Sequence, residues 1–95
     1  MTRTLTPAER FGENVRLMRE EFGQSQSALA LELQDLGLSF NQLTVSRIEL
    51  GTRKLTLDEA IIIAGYFKRG VEFLALHQHT TQPGIPGKAQ EVIAA

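Results

Sequence analysis

Asn41-Gln42-Leu43-Thr44-Val45-Ser46-Arg47-Ile48-Glu49-Leu50-Gly51 reads as one short helix with two unlike faces. Asn41 is a good N-cap, because its side-chain oxygen can take an orphan backbone N–H. Gly51 supplies the stop. Val45 and Ile48 are three apart and share the inward face. The opposite face carries Gln42, Leu43, Ser46 and Arg47. Such a face can be no more than a solvated polar surface. It also fits the edges of DNA bases. Gln pairs bidentately with adenine, Arg with guanine, and an apolar side chain meets a thymine methyl.

The flanking sequence supplies a brace for that helix. Ser25 caps a preceding helix whose buried face is Leu29, Ala30 and Leu33, with Gly37 as its stop. Two short helices joined by a glycine-containing turn form the helix-turn-helix plan. Leu38-Ser39-Phe40 makes the link, and Thr52-Arg53-Lys54-Leu55 leads out on the far side.

Further out, Thr6-Pro7-Ala8-Glu9 combines a capping box with proline at the first helical position. Phe11, Val15, Met18 and Phe22 then recur as one apolar stripe, and Gly23 ends that helix. Thr56-Leu57-Asp58-Glu59 is a second capping box, followed by inward Ala60, Ile63, Ala64 and Phe67. The run Ile61-Ile62-Ile63 also suits a buried strand. The box before it and the lack of any partner strand decide for helix. Gly70 breaks the chain, and Val71 to Leu76 make a short fifth helix. Val71, Phe73, Leu74 and Leu76 are many apolar residues for so short a helix. They either close the core or leave a dimer seam.

Residues 1–79 therefore read as one all-α domain, a compact bundle of about five helices. Residues 80–95 read as a flexible C-terminal tail or short helix, because Pro83, Gly84, Pro86 and Gly87 break any regular element.

Composition narrows the function. The chain has 95 residues, 42% of them hydrophobic, and no cysteine. Stability must come from packing, without disulfides or thiolate metal sites. No apolar run approaches a membrane span of about 18 residues, and the N-terminus lacks an apolar signal core. The chain therefore reads as soluble and intracellular. The net charge of −1 argues against a nucleic-acid binder as a whole. The local balance argues the other way, since Asn41 to Thr56 holds Arg47, Arg53 and Lys54 against Glu49 alone.

Catalytic readings find no support. Ser25 and Ser27 have no histidine and acid at a suggestive spacing, and no glycine-rich phosphate loop is present. His77 and His79 would not share a helix face, and no third metal ligand is evident. The expectation is a protein that is not an enzyme and needs no cofactor.

Three stretches together resemble the XRE-type helix-turn-helix family, which includes lambdoid phage repressors, Cro proteins and many antitoxins. They are Gln24-Ser25-Gln26-Ser27-Ala28-Leu29-Ala30, Gln42 through Lys54, and Leu57-Asp58-Glu59-Ala60. The likeness runs from about Phe11 to Leu76. It implies a lambda-repressor-like bundle and base contacts from Gln42, Leu43, Ser46 and Arg47. It further implies phosphate contacts from Gln26, Thr44, Gly51, Arg53 and Lys54. Arg19 and Glu49 match a family ion pair that fixes the end of the third helix. The implied function is a transcriptional repressor or Cro that occupies a double-stranded DNA operator, with a homodimer on a palindromic site as one arrangement. An antitoxin with the same domain and a partner-masking tail is the alternative. An adaptor that keeps the fold without DNA is a further rival, opposed by Gln26, Arg53 and Lys54.

One segment departs from the family. Leu33-Gln34-Asp35-Leu36-Gly37-Leu38-Ser39-Phe40 is longer than the usual tight turn. Either the brace helix gains a turn or the link is a longer loop. Similar long forms occur among actinobacterial and actinophage members. The chain ends Val92-Ile93-Ala94-Ala95, and small apolar residues ending in Ala94 and Ala95 resemble degradation tags read by bacterial proteases. The same end also reads, more plainly, as a helix tail or a dimer contact. The resemblance further implies the cytoplasm of a bacterial host cell, associated with the nucleoid, as the location.

Overall fold

The computed structural model describes residues 4–78, so the expectations for His79 and for 80–95 lie outside the described residues. Five helices follow one another: α1 (Pro7–Glu21), α2 (Gln26–Asp35), α3 (Gln42–Leu50), α4 (Leu57–Tyr66) and α5 (Val71–Leu76). The protein is an all-α bundle, and no strand occurs among the described residues.

Local chemistry sets each start. Thr6 and Glu9 exchange side-chain and backbone hydrogen bonds at α1, and Thr56 and Glu59 do the same at α4. Ser25 accepts from the Ala28 N–H at α2. Each such cap is worth about 1 kcal/mol. Asn41 caps α3 and shares a reciprocal box with Thr44. Gly70 gives α5 no side-chain cap.

Gly23 and Gly37 end α1 and α2 as expected. Gly51 sits at φ +77°, and a Cβ there would also press on Glu9, so both backbone and space call for glycine. At α4 the left-handed residue is Lys68, with φ +59°, two residues before the expected Gly70. Lys68 and Arg69 donate to the carbonyls of Gly65 and Ala64, and those bonds hold a conformation that costs a non-glycine residue about 1–2 kcal/mol.

The core gathers Phe11, Val15, Met18, Leu29, Ala30, Leu33, Val45, Ile48, Ala60, Ile63, Ala64, Phe67 and Leu74, as the apolar spacing anticipates. Each large side chain buried this way contributes about 1.5–3 kcal/mol. Leu38 and Phe40 join the core, so the link between α2 and α3 is packed. Helix α2 stops at Asp35, which settles the extended segment as a longer loop and not an added helical turn.

One expectation needs correction. Phe22 does not continue the buried stripe. It lies just past the last turn of α1, 53% exposed, and its ring packs on Phe67 at 5.4 Å and Tyr66 at 6.4 Å. On α5 only Leu74 is fully buried, while Phe73 and Leu76 stay exposed.

Helix α1 is the hub, packed against α3 and α5, while α2 packs on α3 and α4 on α5. At the crossing with α3, a Cβ on Gly12 would strike the carbonyl oxygen of Ile48. Glycine lets the two backbones meet there.

Candidate nucleic-acid interface

Helix α3 turns Val45 and Ile48 into the core and leaves Gln42, Leu43 and Arg47 exposed. Ser46 is half-buried, because it lies at the edge of that face. Leu50 is 70% exposed and extends the stripe by another turn. Its place at i+7 from Leu43 and i+3 from Arg47 was readable in the sequence.

Glu49 faces the other way. Its carboxylate is clamped by Arg19 of α1, with Nε at 2.6 Å from one oxygen and Nη2 at 3.1 Å from the other. Arg19 also donates to the Gln24 carbonyl at 2.7 Å. The hydrogen bonds that Arg19 donates to Glu49 raise the Arg19 pKa further, so the guanidinium is permanently charged. Planar Arg–carboxylate pairs of this kind combine strength with geometric specificity.

The clamp continues outward through two amides. Gln26 Nε2 donates to Glu49 Oε1 at 2.9 Å, and Gln42 Nε2 donates to Gln26 Oε1 at 2.6 Å. Each glutamine has two N–H donors and one carbonyl oxygen. Gln42 therefore keeps one N–H and its Oε1, the pair that the adenine edge requires. Gln26 keeps one N–H, enough for a phosphate oxygen.

The remaining residues divide by what their donors already do. The Thr44 hydroxyl donates to Asn41 Oδ1 at 2.9 Å and accepts from the Asn41 N–H at 3.3 Å. It is a cap, and its proton is already directed. The Gly51 N–H donates to the Ile48 carbonyl at 3.0 Å, so this glycine shapes the loop and has no donor left for a phosphate. Arg53 pairs with Glu59 and lies over the Phe40 ring. Lys54 is exposed and in no ion pair among the described residues, and the same holds for Arg47. With Glu49 balanced by Arg19 and Arg53 by Glu59, Arg47 and Lys54 are the cations of the stretch 41–56 without an ion pair among the described residues.

Two further polar groups had no signal in the sequence. Asn14 is fully buried in α1 and donates to the carbonyls of Leu74 at 2.7 Å and His77 at 2.6 Å, tying down the end of α5. Gln34 donates to the Phe40 carbonyl at 2.6 Å, fastening the long link to α2. No group of residues suited to a metal ion occurs among the described residues, and none of the described helices is long and apolar enough to cross a membrane. The chain matches no protein-family model, no curated protein and no solved structure.

Proposed function

We propose that the chain is a sequence-specific DNA-binding transcriptional regulator of the phage repressor or Cro type, with α3 as its recognition helix. The observation that carries this reading is the relay from Arg19 through Glu49 and Gln26 to Gln42. It fixes an exposed amide at the start of α3 with one donor and one acceptor facing outward. A group held this way loses little freedom on binding. The N-terminal residues of a recognition helix are the ones that meet base edges. Leu43 then lies against thymine methyls and Arg47 against guanine or a phosphate. Gln26 and Lys54 meet the backbone. Occupying an operator would exclude polymerase or a rival regulator.

The test begins with selection of bound duplexes from random DNA. A defined consensus is the expected result. On that site Arg47→Ala and Gln42→Ala should each cost about 1–3 kcal/mol and relax readout at one or two positions. Lys54→Ala should weaken binding to all sequences alike and lower the salt slope by about one unit. No enrichment above random DNA would refute the reading. Parental behaviour of both α3 variants would refute the choice of helix.

A further inference from the structure

The loop after α3 folds back toward the residues that precede it. The Arg53 N–H points to the Arg47 carbonyl at 3.3 Å, and the Arg53 guanidinium carbon lies 5.1 Å from the centre of the Phe40 ring. Phe40 is 3% exposed, and its neighbour Asn41 is the N-cap of α3. On its other side the same guanidinium meets Glu59 of α4 as a fork, Nη1 to Oε1 at 3.1 Å and Nη2 to Oε2 at 3.3 Å. Glu59 is itself fixed, because its carboxylate accepts the Thr56 N–H at 3.0 Å in the capping box of α4.

We infer that Arg53 is a positioning residue, which clasps the link before α3 to the start of α4 and thereby sets the first turn of the DNA-reading helix. It is not a phosphate contact, although its place in the loop would suit one. The inference rests on the proposed DNA-binding function for its main readout.

Three observations support it. The guanidinium charge is already neutralised by Glu59, so a phosphate there would release little counterion. The Nη1–Nη2 edge, one of the two that can take a phosphate bidentately, is occupied by the carboxylate. One face is covered by Phe40, and cation–π contact with a buried ring is stable only at a defined geometry. The link from Leu36 to Asn41 contains no helical residue. Backbone bonds from Leu36, Gly37 and Leu38 tie its start to the end of α2, and the Asn41–Thr44 box ties its last residue to α3. Between them Phe40 is held by its burial, by Gln34 on the α2 side and by Arg53 on the α4 side. Gln42 and Leu43 follow directly on that link. Their placement against base edges thus depends on the clasp.

The experiment compares Arg53→Lys, Glu59→Gln and Lys54→Ala in the full chain, each checked for folding by thermal melting. Affinity is measured for the selected site and for random duplex over a range of salt. Arg53→Lys keeps the charge but loses the planar fork and stack. It should lower the ratio of specific to random binding about tenfold with the salt slope unchanged. Glu59→Gln keeps the capping box, because glutamine also closes it. It frees the Arg53 charge, so random binding should strengthen while the ratio again falls. Lys54→Ala should lower both affinities together and leave the ratio in place. A parental ratio in Arg53→Lys or in Glu59→Gln would overturn the inference. If the parent selects no site, the DNA reading fails and the clasp is judged separately. The Arg53 side-chain protons should then show an upfield ring-current shift in the NMR spectrum, lost in Phe40→Leu. Absence of that shift in the parent would overturn the clasp itself.

Discussion

Helix α3 is held on two sides by an arginine and a glutamate, and the two pairs differ in depth. Arg19–Glu49, on the α1 side, has side chains 11% and 3% exposed; Arg53–Glu59, on the α4 side, has 34% and 18%. The buried pair must be complete. Its desolvation is repaid only because Arg19 also donates to Gln24 and Glu49 also accepts from Gln26. The outer pair is partly screened and its attraction is modest. The difference separates two jobs. The inner pair helps decide whether α3 docks at all. The outer pair trims how its first turn is presented.

The largest expected effect comes from breaking the inner pair. Arg19→Ala leaves Glu49 buried without its countercharge and should cost about 3–5 kcal/mol. That is a large share of the stability of about 5–15 kcal/mol typical of a small domain. Glu49→Ala should be comparably severe. The double change Arg19→Met with Glu49→Leu should be less damaging than either single loss, because no unpaired charge remains. Denaturant melts of the four proteins check this. If each single variant unfolds within 1 kcal/mol of the parent by the same melts, the pair is not the inner lock.

Asn14 sharpens the comparison, because it is as deeply buried as the inner pair yet serves α5. Asn14→Ala removes the donor shared by the Leu74 and His77 carbonyls and should cost about 1–3 kcal/mol. Under the proposed DNA-binding function, the specificity of Asn14→Ala should stay parental, whereas Arg19→Ala in any fraction that still folds should lose specificity too. Equal loss of specificity in both would mean that α3 responds to global loosening and not to its own ties.

How much of this was legible follows from where the information sits. Helix starts were written locally. Thr6 with Glu9, Ser25, Asn41 and Thr56 with Glu59 each cap within three residues, and the sequence shows such spacing directly. The inward faces were equally readable from helical periodicity. The end of α4 was not, because its left-handed turn falls on Lys68, where the bonds to the Gly65 and Ala64 carbonyls stand in for the usual glycine. Phe22 misled because the apolar periodicity runs on to the C-cap of α1, where the side chain leaves the core face and packs on Phe67 and Tyr66. At the candidate site, Gln42, Leu43 and Arg47 follow from one helix face. The pairing of Arg19 with Glu49, 30 residues apart, came only from resemblance. Asn14 with Leu74 and Arg53 with Phe40 depend on chain crossings that no local pattern records.

The smallest expected effect belongs to the outer pair, and pH is its lever. The hydrogen bond from Arg53, followed by the Thr56 N–H, holds the Glu59 carboxyl below its ordinary value of 4.5. In the unfolded chain both partners are lost and the carboxyl returns to that value. A depressed carboxylate stabilises the fold above its unfolded pKa, and the contribution disappears as pH falls through the lower, folded value. The stabilisation at neutral pH should be about 1 kcal/mol or less, since water reaches the guanidinium. Glu59→Gln keeps the cap and removes the titration. Its melting temperature should therefore lie slightly below the parent at pH 6, and the gap should close as the pH drops below about 4.5. High salt should narrow the same gap at pH 6, because an exposed pair is screened. Arg19→Ala provides the opposite pole. Its deficit should persist in salt, because the inner pair is screened little. If the Glu59→Gln gap stays constant from pH 6 to pH 3, Glu59 is not ionically tied to Arg53, and the contrast between an inner and an outer lock loses its outer half.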